Sequence, residues 1–99
     1  MKTEDRKIDG DVEIRDKFIL TGIINGHVTV IEEAILYLHG KVTKNLFVKN
    51  GAKAYIHGTV LGNVTNQGRV IEVYGTIPGK LVNLFGSRYV DTNAIISGK

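Results

Sequence analysis

The sequence predicts an all-β fold, a short β-solenoid (β-helix) of about five coils, and three observations lead to it. An eleven-residue block recurs four times along the chain of 99 residues. Within each block, apolar residues alternate with other residues, which is the period of a strand with one buried face. Glycine returns at fixed places in the blocks, as expected where a chain turns sharply and repeatedly.

The repeat has a nearly constant length. The four copies read LTGIINGHVTV at 20–30, LHGKVTKNLFV at 38–48, IHGTVLGNVTN at 56–66 and VYGTIPGKLVN at 73–83. A truncated copy, IDGDVEI at 8–14, matches the end of the first full one. A repeat of 17–18 residues with internal alternation is typical of one solenoid coil. Because coils stack about 4.8 Å apart, equivalent residues should lie directly above one another.

Three columns of apolar residues are predicted to point inward. They are Leu20, Leu38, Ile56 and Val73; Ile24, Val42, Val60 and Ile77; and Val28, Leu46, Val64 and Leu81. Ile8 and Val12 extend the second and third columns into the truncated copy. These columns constitute the predicted core.

Two further columns are polar or glycine. Gly22, Gly40, Gly58 and Gly75 form an uninterrupted column, which marks a corner or a close approach between backbones. At the last block position, valine gives way to Asn66 and Asn83. These two asparagines either form a hydrogen-bond ladder between coils or are solvated turn residues.

The chain is expected to be a single domain, residues 1–99, in three parts. Residues 1–7 are a charged leader, residues 8–83 hold the repeats, and residues 84–99 form a segment that caps the solenoid or links it to another chain. Residues 84–94, LFGSRYVDTNA, interrupt the repeat pattern. A solenoid must cover or use its terminal coils, because they expose core and unpaired strand edges.

Composition excludes several classes of protein. The chain has no cysteine, so it has neither a disulfide framework nor a thiolate metal site. No apolar run approaches the roughly 20 residues of a membrane span, and no signal-peptide core is present, so a soluble cytoplasmic protein is expected. The net charge is only +3 and the basic residues are scattered, so nucleic-acid binding is not expected.

A left-handed β-helix with six-residue repeats, the fold of many acyltransferases, is the alternative to a right-handed solenoid. Residues from Ile24 to Val60 do place apolar side chains six apart, but the series then reaches Asn66 and Glu72. No nucleophile, phosphate-loop or paired-carboxylate motif occurs. We therefore expect no enzyme activity, no catalytic residue and no cofactor.

The histidines are weighed as a metal site and rejected. His39 and His57 hold the same place in adjacent copies, and Tyr74 is next in their column. Two histidines without a nearby carboxylate or third histidine make a poor zinc site. Their position lies between two inward ones, so we expect the rings to stack about 4.8 Å apart and to face solvent.

The repeats, including the strings IHGTVLGNV and VYGTIPGKL, resemble those of bactofilins, the bacterial polymer-forming β-helical proteins, over residues 8–83. The resemblance implies a right-handed β-helix without cofactor or enzymatic activity, assembled end to end into filaments that scaffold other proteins, often at a membrane. Bactofilins often carry an apolar N-terminal targeting stretch. This chain begins MKTEDRK, so membrane association is doubtful.

Two functions follow as hypotheses. The first is a self-associating structural protein that forms homo-oligomers or polymers through its terminal coils, with Ile8, Val12 and Ile14 at one end and Leu84, Phe85, Tyr89 and Ile96 at the other. The second is a small protein-binding or inhibitory module, such as the immunity partner of a bacterial toxin. Its binding face would be one of two outward columns, either Thr29, Phe47, Thr65 and Val82 or Thr21, His39, His57 and Tyr74. Phe47 and Tyr74 are the exposed aromatic side chains of these columns, a type enriched at interface centres.

Overall fold

The computed structural model describes residues 2–97, which form seventeen short strands, numbered here in chain order, and no helix. The strands form three parallel sheets, which are the three faces of a solenoid. The first face contains β1 (Lys2–Glu4), β4 (Lys17–Leu20), β7 (Ile35–Leu38), β10 (Lys53–Ile56), β13 (Val70–Val73) and β16 (Ser87–Val90). The second contains β2 (Lys7–Asp9), β5 (Ile23–Asn25), β8 (Lys41–Val42), β11 (Thr59–Val60), β14 (Thr76–Ile77) and β17 (Ile95–Ile96). The third contains β3 (Val12–Ile14), β6 (Val28–Val30), β9 (Leu46–Val48), β12 (Val64–Asn66) and β15 (Leu81–Asn83).

Each coil supplies one strand to each face in turn. Coil 1 is β1–β3 and coil 5 is β13–β15, while coil 6 consists of β16 and β17 in the described residues. The first corner joins the first and second faces, the second corner joins the second and third, and the third corner leads into the next coil. This arrangement confirms the predicted β-solenoid of about five turns, with coils of about 18 residues. The right-handedness of the solenoid stays a prediction.

The register places the predicted columns as expected. Leu20 pairs with Leu38, Leu38 with Ile56, and Ile56 with Val73. All twelve residues of the three predicted columns are completely buried except Leu81, which is half-buried. Ile8 and Val12 pack against this core from coil 1. The alternation within each block therefore does define the inside of the solenoid.

A fourth apolar column lies outside the eleven-residue block. It runs along the first face through Phe18, Leu36, Ala54 and Ile71. Its next position, in coil 6, is Arg88. The alignment of the blocks does not predict this column, because the residues of the column precede the first position of each block and vary in size from alanine to phenylalanine.

The two terminal segments belong to the solenoid, contrary to the division predicted from the sequence. The charged leader provides β1, which pairs with β4, so the first coil begins within residues 1–7. The C-terminal segment does not fold back over the end: β16 pairs in register with β13, and β17 with β14. The repeat pattern is lost there because a terminal coil needs no apolar residue on its uncovered side. Residues 98 and 99, the end of the predicted cap or linker, lie outside the described residues.

The glycine column exists because neighbouring backbones approach closely. A methyl group on Gly40, Gly58 or Gly75 would overlap the carbonyl oxygen of the glycine one coil earlier. None of these three glycines has a positive φ, so steric overlap and not backbone conformation requires glycine here. At the same corner, the N–H groups of Gly58 and Thr59 donate to the carbonyls of Leu38 and Gly40.

The second corner is held by a ladder of side-chain acceptors. The carboxylate of Asp11 accepts the backbone N–H of His27 (2.9 Å), and His27 Nδ1 accepts that of Asn45 (3.2 Å). Asn45 Oδ1 and Asn63 Oδ1 accept the N–H groups of Asn63 (2.8 Å) and Lys80 (2.9 Å). His27 is therefore one member of this ladder.

Asn66 and Asn83 form an inter-coil hydrogen bond, the first of the two alternatives that the sequence leaves open. The Asn66 side chain is completely buried, and its Nδ2 donates to Asn83 Oδ1 (2.7 Å) and to the carbonyl of Phe85 (3.0 Å). Its Oδ1 accepts the N–H of Gly68 (3.0 Å). A buried amide needs such partners, because an unsatisfied one costs about 1–3 kcal/mol. The alternative of two solvated turn residues is wrong for Asn66.

Substituting the glycine column tests the close approach of the coils. We expect Gly58→Ala to lower the free energy of unfolding by about 3 kcal/mol, because the added methyl group meets backbone atoms that cannot move independently. Urea denaturation followed by far-UV circular dichroism measures this change. The neighbouring Thr59→Ala should cost less than about 1 kcal/mol. Equal effects of the two substitutions would contradict the steric explanation.

Candidate functional site: the C-terminal end and the aromatic column

The C-terminal end of the solenoid is the main exposed apolar surface. Of the eight exposed large hydrophobic side chains in the described residues, six lie between residues 82 and 95. Leu84 is 59% exposed and Phe85 is 68% exposed, both at the third corner between β15 and β16. Tyr89 and Ile95 are 51% and 58% exposed on the first and second faces of coil 6. Scattered exposed apolar residues are ordinary, but a concentration at one end indicates a contact surface.

The N-terminal end exposes less apolar surface and carries several charged side chains. Ile14 is only 2% exposed, and Ile8 and Val12 are half-buried. Three ion pairs lie in coil 1 and its following corner: Arg6–Glu4 (3.3 Å), Lys7–Asp9 (3.7 Å) and Arg15–Glu13 (2.6 Å). Of the seven residues predicted for self-association, the three at the N-terminal end are buried or half-buried. At the C-terminal end, Leu84, Phe85 and Tyr89 are exposed and only Ile96 is half-buried.

An open groove of about 510 Å³ lies beside the exposed corner. Phe85 and Gly86 form one wall, and Gln67 and Arg69 belong to the preceding coil. The groove follows the third corner from coil 4 to coil 6, so it is continuous with the apolar C-terminal end. Gly86 has a φ of 74°, which lets the chain turn directly into β16 after Phe85.

The aromatic column at the first corner is confirmed. The ring centroids of His39 and His57 are 4.8 Å apart and those of His57 and Tyr74 4.7 Å apart, with nearly parallel planes. Tyr89 continues beside Tyr74 at 5.8 Å in a tilted arrangement. Both histidines are exposed, as expected. Because the stacked rings cover one another's faces, they present mainly their edges to a ligand.

Phe47 does not belong to this surface. It lies on β9 of the third face, half-buried, with its ring centroid 6.2 Å from that of His27 and with Lys49 Nζ 5.8 Å from the ring centre. Phe47 shares its outward column with Thr29, Thr65 and Val82, as the alignment of the blocks predicts, so the two candidate binding faces are separate columns. A second pair of stacked rings was not predicted from the sequence. Tyr37 and Tyr55, each two residues before a histidine of the column, stack on the first face with ring centroids 5.2 Å apart.

Glu72 connects the two sets of rings electrostatically. It follows Tyr55 in its column, and its carboxylate accepts a hydrogen bond from the Tyr74 hydroxyl. This bond, together with desolvation and the negative charge of Glu72, raises the pKa of Tyr74 to about 12. Burial, and next the charge of Glu72, also raise the pKa of Tyr55. A neutral phenol that donates to a carboxylate fixes the orientation of this part of the column.

Neither a metal-binding cluster nor a membrane-spanning helix occurs in the part of the chain that the structure describes. Among residues 2–97, no three His, Asp or Glu side chains are grouped so that they could hold a metal ion. No helix in the same residues is long and apolar enough to cross a membrane. The expectation that the protein uses no cofactor stays an expectation.

The fold and these surfaces define the chain as a β-solenoid repeat protein with one apolar end. Comparison with family models, with curated proteins and with solved structures finds no match to it. The resemblance to bactofilins therefore rests on the repeat alone.

Neutralising Glu72 should change the tyrosine titration. We expect Glu72→Gln to lower the pKa of Tyr74 from about 12 toward the ordinary value of about 10, because the phenolate no longer faces a carboxylate. Absorbance near 295 nm measures the titration, with circular dichroism to show that the solenoid is intact. Glu32→Gln, at a corner of coil 2, is the control. An unchanged curve for Glu72→Gln would contradict the assigned contact.

Proposed function

We propose that this chain is a non-catalytic structural protein that self-associates through the ends of its solenoid, in the manner that the bactofilin-like repeat implies. Its partners would be further copies of itself. The proposal keeps the cytoplasmic location expected from the sequence and includes neither a cofactor nor a nucleic acid.

The observation that carries the proposal is the unequal distribution of exposed apolar side chains. The middle coils expose few: Ile23 at 39% and Leu61 at 44% are the two large ones outside residues 82–95 in the described chain. At the C-terminal end, Leu84, Phe85 and Ile95 each expose more than half of their surface. Covering a large apolar side chain contributes about 1.5–3 kcal/mol, so association at this end is favourable.

Backbone groups at the C-terminal end support the same function. In the third face, the N–H groups of Val28, Leu46 and Val64 each donate to a carbonyl of the next coil. The equivalent N–H of Leu81 has no further coil above it in the described residues. Parallel strands that end without a neighbour are templates for pairing with another chain. A second copy supplies both apolar surface and hydrogen-bonding groups.

Placing a charge at Phe85 tests the proposal. We expect wild-type protein to increase in mass with concentration, measured by light scattering behind size exclusion over about a hundredfold range. Phe85→Asp should raise the concentration needed for association at least tenfold, because it requires a carboxylate to be buried without a partner. Leu61→Asp places the same charge on a middle coil and should leave association unchanged. Wild-type protein that stays at 10.9 kDa throughout would refute self-association.

A second candidate function is a small protein-binding module, and the aromatic column favours it. His39 and His57 expose their ring edges on a rigid corner, and the Glu72–Tyr74 hydrogen bond orders the end of the column. Affinity capture from the source organism would compare wild type, Phe85→Asp, and a His39→Ser, His57→Ser variant. A partner retained by Phe85→Asp but lost by the double variant supports the module. A partner lost by Phe85→Asp alone assigns binding to the C-terminal end.

A further inference from the structure

Two asparagines of the chain are followed by glycine, Asn25 and Asn50. Asparagine deamidates most readily before glycine, because glycine has no side chain to hinder attack by its backbone nitrogen on the asparagine amide. The asparagine side chain and the glycine nitrogen must also move toward each other, so the surrounding structure controls the rate. The two Asn–Gly peptides therefore provide a comparison within one molecule.

Asn50 and Gly51 lie in the third corner where the pairing between coils is interrupted. The corner after coil 3 has four residues and the corner after coil 4 has three, so Asn50 and Gly51 lie opposite Gly68 alone. Asn50 is exposed, and within residues 2–97 neither its side chain nor the N–H of Gly51 has a hydrogen-bond partner. Gly51 has a φ of 78°, and a methyl group on it would meet no atom closer than 3.4 Å. This peptide therefore has both the space and the unpaired groups that the reaction requires.

Asn25 is restrained at both ends of its amide. Its Nδ2 donates to Asp9 Oδ1 (3.3 Å), and its Oδ1 accepts the hydroxyl of Thr43 (2.9 Å). Asn25 is the last residue of β5, and its backbone carbonyl accepts the N–H of Gly10 (3.0 Å). Gly26 is buried, and a methyl group on it would overlap the carbonyl oxygen of Gly10. Attack on this amide would break two side-chain hydrogen bonds within a closely packed corner.

We propose that Asn50 is a site of spontaneous deamidation in the folded protein and that Asn25 is protected from it. The backbone nitrogen of Gly51 attacks Cγ of Asn50, so that an N–Cγ bond forms and the Cγ–Nδ2 bond breaks. Ammonia leaves with the proton of the Gly51 N–H, and the product is a cyclic succinimide. One water molecule then opens the ring. Hydrolysis of the new N–Cγ bond gives aspartate, and hydrolysis of the original peptide bond gives isoaspartate.

The product adds a negative charge to the groove at the third corner. Asn50 lines this groove together with Arg69, which is the one charged residue among the described residues that line it. A carboxylate at position 50 lowers the formal net charge of +3 by one and makes the groove formally neutral. The length of this corner differs between coils while the strands keep their register, so the corner accommodates the additional backbone atom of an isoaspartate. The modification does not depend on self-association.

Ageing the purified full chain in a mildly alkaline buffer tests the proposal. Peptide mass spectrometry identifies the residue whose side-chain NH₂ is replaced by OH, and cation exchange measures the loss of positive charge. We expect Asn50 to convert about tenfold faster than Asn25 in the folded protein, because an exposed corner rearranges at little cost in free energy. In concentrated urea the two should convert at similar rates, since both precede glycine. Circular dichroism shows that the solenoid is intact during ageing.

Two variants complete the experiment. Asn50→Asp should elute from cation exchange with the aged wild-type protein, and Asn50→Gln should not convert at position 50, because glutamine would have to form a larger ring. Equal rates for Asn25 and Asn50 in the folded protein would overturn the protection of Asn25. An Asn50 that converts in urea but persists in the folded protein would overturn the site itself. An aged protein that keeps the charge of fresh wild type would overturn the change in the groove.

Discussion

The structure depends on the parallel, in-register pairing of each coil with the next. Because equivalent residues are held about 4.8 Å apart, any residue type repeated along the chain becomes a continuous column in the molecule. Apolar columns form the core, the glycines allow backbones to meet at the first corner, and rings at the same corner must stack. Acceptors at the second corner satisfy backbone N–H groups of the following coil. One geometric rule thus produces core, corners and surface.

The sequence predicted those features that recur at fixed spacing. The three inward columns and the stacked His39 and His57 follow from aligning the blocks. The Asn66–Asn83 hydrogen bond is one of two alternatives that the alignment left open. Features whose residue type does not recur from block to block could not be predicted in this way. Phe18 and Ala54 share a buried column although their sizes differ greatly, so no single residue type recurs there to reveal it.

The terminal coils could not be recognised from the sequence pattern for a different reason. They obey the backbone register but lack the apolar pattern, since nothing covers their outer sides. For this reason the sequence predicts a leader and an interruption where the structure has β1 and β16, both of which pair in register with the first face. The ends are where self-association would occur, so the part of the molecule most relevant to the proposed function is also the part that repetition informs least.

The corners differ in how many residues they contain. Between the first and second faces, two residues connect the strands in every coil from coil 1 to coil 5, as at Thr21–Gly22 or Tyr74–Gly75. At the third corner, the connection has two, four, four, three and three residues in successive coils. The strands on both sides nevertheless keep their register. Differences in corner length between coils therefore concentrate along the edge that also carries Phe85, while the first corner keeps two residues through coil 5 and lengthens to four only in coil 6, where the glycine column has ended.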